Sequence, residues 1–357
     1  MKKIRWTRKL CRHTGLLLAA FLIFILALTS PAKPKISADE SSDSSKVQEE
    51  SSKAEEERPE TKYEKIENSV FDNKGLLLLD NKDHHYASDG SDFVSIYQYL
   101  FNSNGEQVLN TGSTNISGNQ EMMIHLNSMI SDFALNTKLR TIMVRNASYS
   151  YNGRLYKTMG DVNDADEKAE DKKTADTNSD NISSEGCYEH LTGLAVDLQL
   201  YEKEKGTYPQ YTGEGAYSWI NENCWKYGFV LRYPDDKAEV TGVAGRKDHY
   251  RYVGTAFAQI LHDNSLALEE LYAFLDKYSY EEPLMMTTVE GKKMMIYSVE
   301  LDKDKSSTTI PLPDTSRSDM SYSLTGIGSG RGYICADLGA APADNSSSQQ
   351  ETQAKTE

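Results

Sequence analysis

Residues 188–200 read Tyr-Glu-His-Leu-Thr-Gly-Leu-Ala-Val-Asp-Leu-Gln-Leu. Leu194, Val196, Leu198 and Leu200 alternate with Ala195, Asp197 and Gln199. That period of two is a β-strand, and it sets Asp197 on the face opposite the aliphatic residues. His190 stands seven positions before Asp197 in the same block, so an imidazole and a carboxylate frame one turn and one strand.

Working outward, Met122, Leu126, Met129, Ile130 and Phe133 recur at helical spacing and predict a helix from Gln120 to Leu135. Thr141–Val144 reads as a strand. Trp219, Ile220, Cys224 and Tyr227 mark a helix that Gly228 can close, and Phe229–Tyr233 follows as a strand stopped by Pro234. Tyr250–Val253 is a further strand. A helix begins at Thr255, and another spans Leu266–Leu275 with Asn264 or Ser265 as its cap. Helices and strands interleave without strict alternation, which indicates an α+β fold. From Glu282 the texture becomes short strands joined by glycine and proline turns, a small β appendage over 280–340.

The flanks differ in character. Lys2, Lys3, Arg5, Arg8, Lys9 and Arg12 precede an uncharged run, Thr14 to Ala32, and this pattern predicts an export signal or membrane anchor over residues 1–36, with Ser30-Pro31-Ala32 as a small-residue cleavage site. Residues 37–68 open on a serine- and glutamate-rich stretch with almost no large apolar side chains, and read as a disordered acidic spacer. Residues 161–185 have the same character inside the folded span of 69–279, as a mobile loop, and 341–357 form a similar tail. Only 38% of the 357 residues are hydrophobic and the mean hydropathy is −0.61, as such segments require. The formal net charge of −15 argues against a nucleic-acid partner, which needs a basic footprint. Of four cysteines, Cys187, Cys224 and Cys335 follow the leader, and a Cys187–Cys224 disulfide is one possible pairing.

Seven histidines are present. His13 lies in the leader, His84 and His85 in a polar turn-like segment, and His125 and His262 at positions that suit packing or capping. His190 and His249, with Asp197, would offer two imidazoles and one carboxylate. Zinc takes such a set and keeps a fourth position open when it is catalytic, where it lowers the pKa of water toward roughly 7.

The block H-x-x-G-x-A-x-D at 190–197, then W-x-x-x-x-C-W-K-Y-G-F-V-L-R-Y-P at 219–234, Thr241-Gly242 and H-Y-R-Y-V-G at 249–254 resembles the VanY-type D-alanyl-D-alanine carboxypeptidases. These are zinc metallopeptidases that trim the terminal D-alanine from peptidoglycan stem peptides. The resemblance runs from about Ser69 to Lys277. It implies a small antiparallel sheet with flanking helices, Zn2+ on His190, Asp197 and His249, and a peptidoglycan stem peptide as partner, with the membrane reached through the N-terminal segment.

The departures from that family fall on chemistry. Tyr188 stands where the family has serine. Arg246 stands where it has its general acid/base glutamate. In Val144-Arg145-Asn146-Ala147-Ser148-Tyr149, Ala147 takes the place of the arginine that receives the substrate carboxylate, and Arg145, two residues away on a strand, would share its face. Arg145, Tyr188 and Arg246 are thus the expected substrate contacts. Asp248 is the possible substitute base, although alternation beside His249 turns it away from the metal, as it turns Glu189 away beside His190. Two readings follow: an exported zinc carboxypeptidase of weakened or altered activity, or a catalytically silent cell-wall peptide-binding protein on the same fold.

Overall fold

The computed structural model describes residues 58–71, 90–151, 154–156 and 187–340. In chain order these form β1 (Thr61–Glu67), β2 (Phe93–Ser95), β3 (Asn110–Thr111), β4 (Ile116–Asn119), α1 (Gln120–Thr137), β5 (Ile142–Asn146), β6 (Ser148–Tyr151), β7 (Arg154–Tyr156), β8 (Ala195–Leu200), α2 (Ser218–Asn223), β9 (Phe229–Tyr233), α3 (Ala238–Thr241), β10 (Arg246–Tyr252), α4 (Thr255–Asp263), α5 (Leu268–Leu275), β11 (Leu284–Thr287), β12 (Lys292–Glu300), β13 (Ser307–Pro313), β14 (Ser321–Thr325) and β15 (Arg331–Ala340).

The sheet that organises the molecule runs β3-β5-β8-β10-β9, parallel only between β3 and β5. Its core is filled from α1, whose Met122, Met123, Leu126, Met129, Ile130 and Phe133 are all buried beside Val144, Val196, Leu198 and Phe229. Burying each such side chain stabilises the fold by about 1.5–3 kcal/mol. The Asn119 side chain caps α1 by accepting from the Met122 N–H at 3.0 Å, and Lys138 closes it in the left-handed region. A four-stranded antiparallel sheet, β2-β4-β6-β7, flanks the start of α1. The fold is thus the mixed α+β arrangement with small antiparallel sheets that the sequence implied.

The C-terminal strands are more extensive than a single supersecondary unit. They form the sheet β11-β12-β15-β14, and β13 pairs with β1. This layer shares a core with the helices before it: Phe257, Leu261, Leu268, Leu271 and Leu275 pack with Met294, Ile296, Tyr333 and Cys335.

Several expectations are refined. Residues 61–67, expected within the spacer, are a strand paired along its whole length with β13. Its side chains are mostly exposed, so the backbone ladder rather than burial holds it, and hydrophobic patterning has little to report. β10 begins at Arg246, four residues before the expected start. Asn264 and Ser265 do not cap α5. Ser265 takes a positive φ of 52° as α4 ends, and Ala267 is the N-cap, its N–H donating to the Glu270 carboxylate at 2.7 Å. Cys224 and Cys335 are buried free thiols, so no disulfide joins Cys224 to Cys187. Among the described residues no helix is long and apolar enough to cross a membrane. The apolar run 14–32, the spacer up to residue 57, His84 and His85, the loop 161–185 and the tail 341–357 lie outside the described residues.

Candidate metal and active site

β8 and β10 are antiparallel, and their register sets His249 directly opposite Asp197. Opposed residues share one face of a sheet, and here the side chains meet, with Asp197 Oδ1 2.6 Å from His249 Nδ1. His190 arrives from the 3-10 turn Cys187–Thr192 that leads into β8. Gly193 closes that turn with φ 72°, donating its N–H to His190 O at 3.0 Å. A Cβ there would lie 2.3 Å from the Phe93 ring and 2.9 Å from the Asn119 nitrogen, so only glycine fits. The turn brings His190 Nε2 to 3.4 Å from Asp197 Oδ1. One ligand atom from each of His190, Asp197 and His249 lies within 4.8 Å of the others, and all three residues are buried.

Two register shifts shape the rim. The β5–β8 ladder slips between Val144 and Asn146, which makes Arg145 the extra residue of a β-bulge. Arg145 and Ala147 therefore do not share a face as alternation implied: Ala147 is in the core, while the Arg145 side chain is 45% exposed. Arg145 Nη2 reaches Asp197 Oδ2 at 3.4 Å, and Asn146 Nδ2 donates to the same oxygen at 3.1 Å. The β10–β9 ladder shifts between Arg246 and Tyr250, so alternation also fails before His249. Asp248 consequently stays at the rim: its Oδ2 accepts from Arg145 Nη2 at 2.8 Å and its Oδ1 from Arg246 Nε at 3.3 Å. Arg246 Nη2 also donates to Asp197 Oδ1 at 2.9 Å. Tyr188 contributes its backbone to the turn Cys187–Thr192.

Glu189 lies in the 3-10 turn Cys187–Thr192, where strand alternation does not apply, and it stands behind His249, outside the three converging donors. Its Oε2 lies 3.2 Å from His249 Nε2, and its Oε1 accepts from Arg232 Nε at 2.8 Å and Arg251 Nη1 at 3.0 Å. Sequence reading did not single out Arg232, Arg251, Asn146 or Glu269. The available signal was an arginine set among aliphatic and aromatic strand residues, at Val230-Leu231-Arg232-Tyr233, which is expensive to bury without a partner.

The charges sort by environment. Burial would raise the Glu189 carboxyl, but the Arg232 and Arg251 guanidiniums outweigh it and hold it well below the ordinary range. Asp197 is likewise opposed by burial and held ionised by His190 and His249. Burial disfavours a proton on His249, yet its hydrogen bonds to Asp197 and Glu189 prevail and its pKa is raised.

A divalent metal fits these residues. Both ring nitrogens of His190 are buried without a hydrogen bond, and Asp197 Oδ1 stands 3.4 Å from Nε2, an electrostatic approach at long range for a hydrogen bond. Leaving such groups unpaired is costly, and a bound cation would satisfy one of them. Two imidazoles and a carboxylate are a zinc-type donor set with an open position. Against this, Arg246 already gives Asp197 Oδ1 a cationic partner, so a metal and the guanidinium compete for one oxygen.

Fold and donor set together define a small α+β domain with a histidine–aspartate–histidine site. Residues 118–255 match the family VanY, D-alanyl-D-alanine carboxypeptidase, so the likeness covers the segment that carries all three converging donors. A D-alanyl-D-alanine carboxypeptidase of Enterococcus faecium is 38% identical over 138 residues, which are 38% of this chain and 41% of the relative. A bifunctional D-Ala-D-Ala dipeptidase and carboxypeptidase of Enterococcus gallinarum is 35% identical over 96 residues, 26% of this chain and 50% of the relative. The matches thus span half or less of these relatives. Among solved structures, a vancomycin-resistance D,D-dipeptidase in complex with a D-Ala-D-Ala phosphinate analogue shares the fold, with TM-score 0.53 and 21% identity over 78% of this chain and 99% of that one.

Proposed function

We propose that this chain is an exported zinc metallopeptidase of the D-alanyl-D-alanine carboxypeptidase type that acts on peptidoglycan stem peptides, with hydrolysis slowed by Arg246. The observation that carries the reading is the buried convergence of His190, Asp197 and His249, with both nitrogens of His190 lacking a hydrogen bond. A zinc ion held by these three residues would supply Lewis-acid activation of the scissile carbonyl and of water. The chain's own groups do the rest. Arg145 and Arg246 bring two guanidiniums to the partly exposed rim, where a peptide's terminal carboxylate would replace Asp248 as their partner. Tyr188 is assigned to substrate contact from its place beside Glu189 and His190. No free carboxylate stands at position 246, and loss of a general acid/base costs about 10²–10⁴-fold in rate. Asp248 could serve only after leaving both arginines. Export is part of the same proposal and rests on the basic leader followed by the apolar run 14–32.

The second reading is a silent peptide-binding protein. It is favoured by the pairing of Arg246 with Asp197, which neutralises the central carboxylate without a metal. Metal analysis of the purified protein, with D-alanine release from a peptide ending in D-Ala-D-Ala, separates the two. Bound zinc with slow release supports the peptidase. Zinc-free protein that still binds the peptide supports the binder, and absence of zinc, release and binding overturns both.

A further inference from the structure

Glu189 is wholly buried, yet it is not one of the three converging donors. Its oxygens divide their work. Oε1 accepts from two buried arginines, Arg232 and Arg251, and Oε2 faces His249 Nε2 at 3.2 Å. An ionised carboxylate has no proton to give, so the contact with His249 needs the proton on Nε2. The other ring nitrogen, Nδ1, is the one that points into the donor cluster, 2.6 Å from Asp197 Oδ1. Arg232 is held in turn from its far side, where Nη1 and Nη2 donate to Glu269 Oε2 and Oε1 at 3.0 Å and 2.5 Å. Glu269 sits in the first turn of α5. The apolar face of α5 packs against Met294, Ile296, Tyr333 and Cys335 of the C-terminal sheet.

We infer that Glu189 is a positioning residue for His249: it fixes the ring with Nε2 protonated and Nδ1 aimed into the donor cluster, where a metal would take the place of the proton shared with Asp197, and it is itself locked by Arg232 and Glu269 to the C-terminal layer. A carboxylate behind a metal-binding histidine sets its tautomer and orientation, and losing it typically costs 10–100-fold in metal affinity. A counter-ion role alone would leave Oε2 without any need to face an imidazole nitrogen. The inference uses the metal reading for the role of Nδ1, while the site of the proton on His249 is independent of it.

Glu189→Gln makes a sharp test. The two arginines demand an oxygen, so the glutamine amide turns its carbonyl toward them and its NH2 toward His249. The Nε2 nitrogen must then become an acceptor and give up its proton, which leaves His249 protonated only at Nδ1, toward Asp197. Zinc affinity by chelator competition, and the His249 ring N–H signal in proton–nitrogen NMR without added metal, are read for the unaltered protein, Glu189→Gln and Glu269→Gln. The unaltered protein is expected to show a slowly exchanging Nε2–H. Glu189→Gln should lose that signal and bind zinc roughly 10–100-fold more weakly, and Glu269→Gln should weaken zinc several-fold. A folded Glu189→Gln with Nε2–H and zinc affinity intact overturns the inference. If Glu189→Gln does not fold, Glu269→Gln decides, and no change in either of its readouts overturns it. If the unaltered protein takes no zinc, the metal reading fails on its own, and the Nε2–H comparison still tests the role of Glu189.

Discussion

Asp197 and His249 are cross-strand partners on β8 and β10, and their carboxylate and imidazole meet at 2.6 Å. Two positions far apart in the chain become one site through register alone. A slip of one residue would turn one of them to the opposite face, so the pairing of the two strands is itself part of the chemistry.

His249→Ala should abolish stabilisation by zinc. The unaltered protein, at a free zinc concentration about 100 times the dissociation constant, gains about 2.7 kcal/mol, which thermal melting with and without zinc will show. Equal zinc-induced shifts in both proteins would refute His249 as a ligand.

Arg246→Glu should raise D-alanine release by up to about 10²–10⁴-fold, because it returns a proton acceptor to the rim. It should also tighten zinc, since a cation leaves Asp197 Oδ1. The gain is expected in rate at saturating peptide, with affinity still weak. Should Arg246→Ala abolish peptide binding while Arg246→Glu stays inactive, the arginine is a carboxylate receptor and the domain binds without cleaving.

Gly193→Ala should destabilise the fold by roughly 1–3 kcal/mol. It places a side chain at φ 72° and drives its Cβ into Phe93 and the Asn119 backbone. Urea unfolding measures the loss, and a midpoint equal to that of the unaltered protein would show that the turn relaxes freely.

The zinc-free protein should lose stability at both ends of the pH range. Glu189 and Asp197 have lowered pKa values, so their contribution is present above about pH 4 and fades as pH falls toward the folded values. His249 has a raised pKa, so its contribution is full below about pH 6.5 and fades as pH rises through its folded value. Urea midpoints at pH 3, 6 and 9 should therefore peak in the middle.

Burial pushes the Cys224 and Cys335 thiols up to about 12. Neither should react with a maleimide at pH 8 in the folded protein, and both should label after denaturation, as peptide mass spectrometry can follow. Rapid native labelling at Cys224 would contradict its packing.

The strand β8 and the helix α1 were legible because each depends on a short-range period, and the three donors because two separate motif blocks, at 190–197 and 249–254, resemble those of a known family. The rim was not. Whether Arg145 faces its neighbours or bulges depends on how β5 pairs with β8, and nothing local in Val144-Arg145-Asn146 encodes that slip. The partners of Asp248, Arg145 and Arg246, were hidden for the same reason on β10. The Glu189–Arg232–Glu269 chain joins three separate segments, so its only trace in sequence is charge stranded in apolar surroundings. The strand β1 escaped notice because it buries little.

The pairing of β1 with β13 sets Thr61 against Pro313 and Glu67 against Ser307. During synthesis the earlier strand emerges long before its partner exists, with its hydrogen-bonding edge unfilled while the central sheet can already assemble. Completion of the last layer is therefore timed by the ribosome's arrival at the C-terminal strands, and chains broken off before residue 307 would leave that edge open to pairing with other chains.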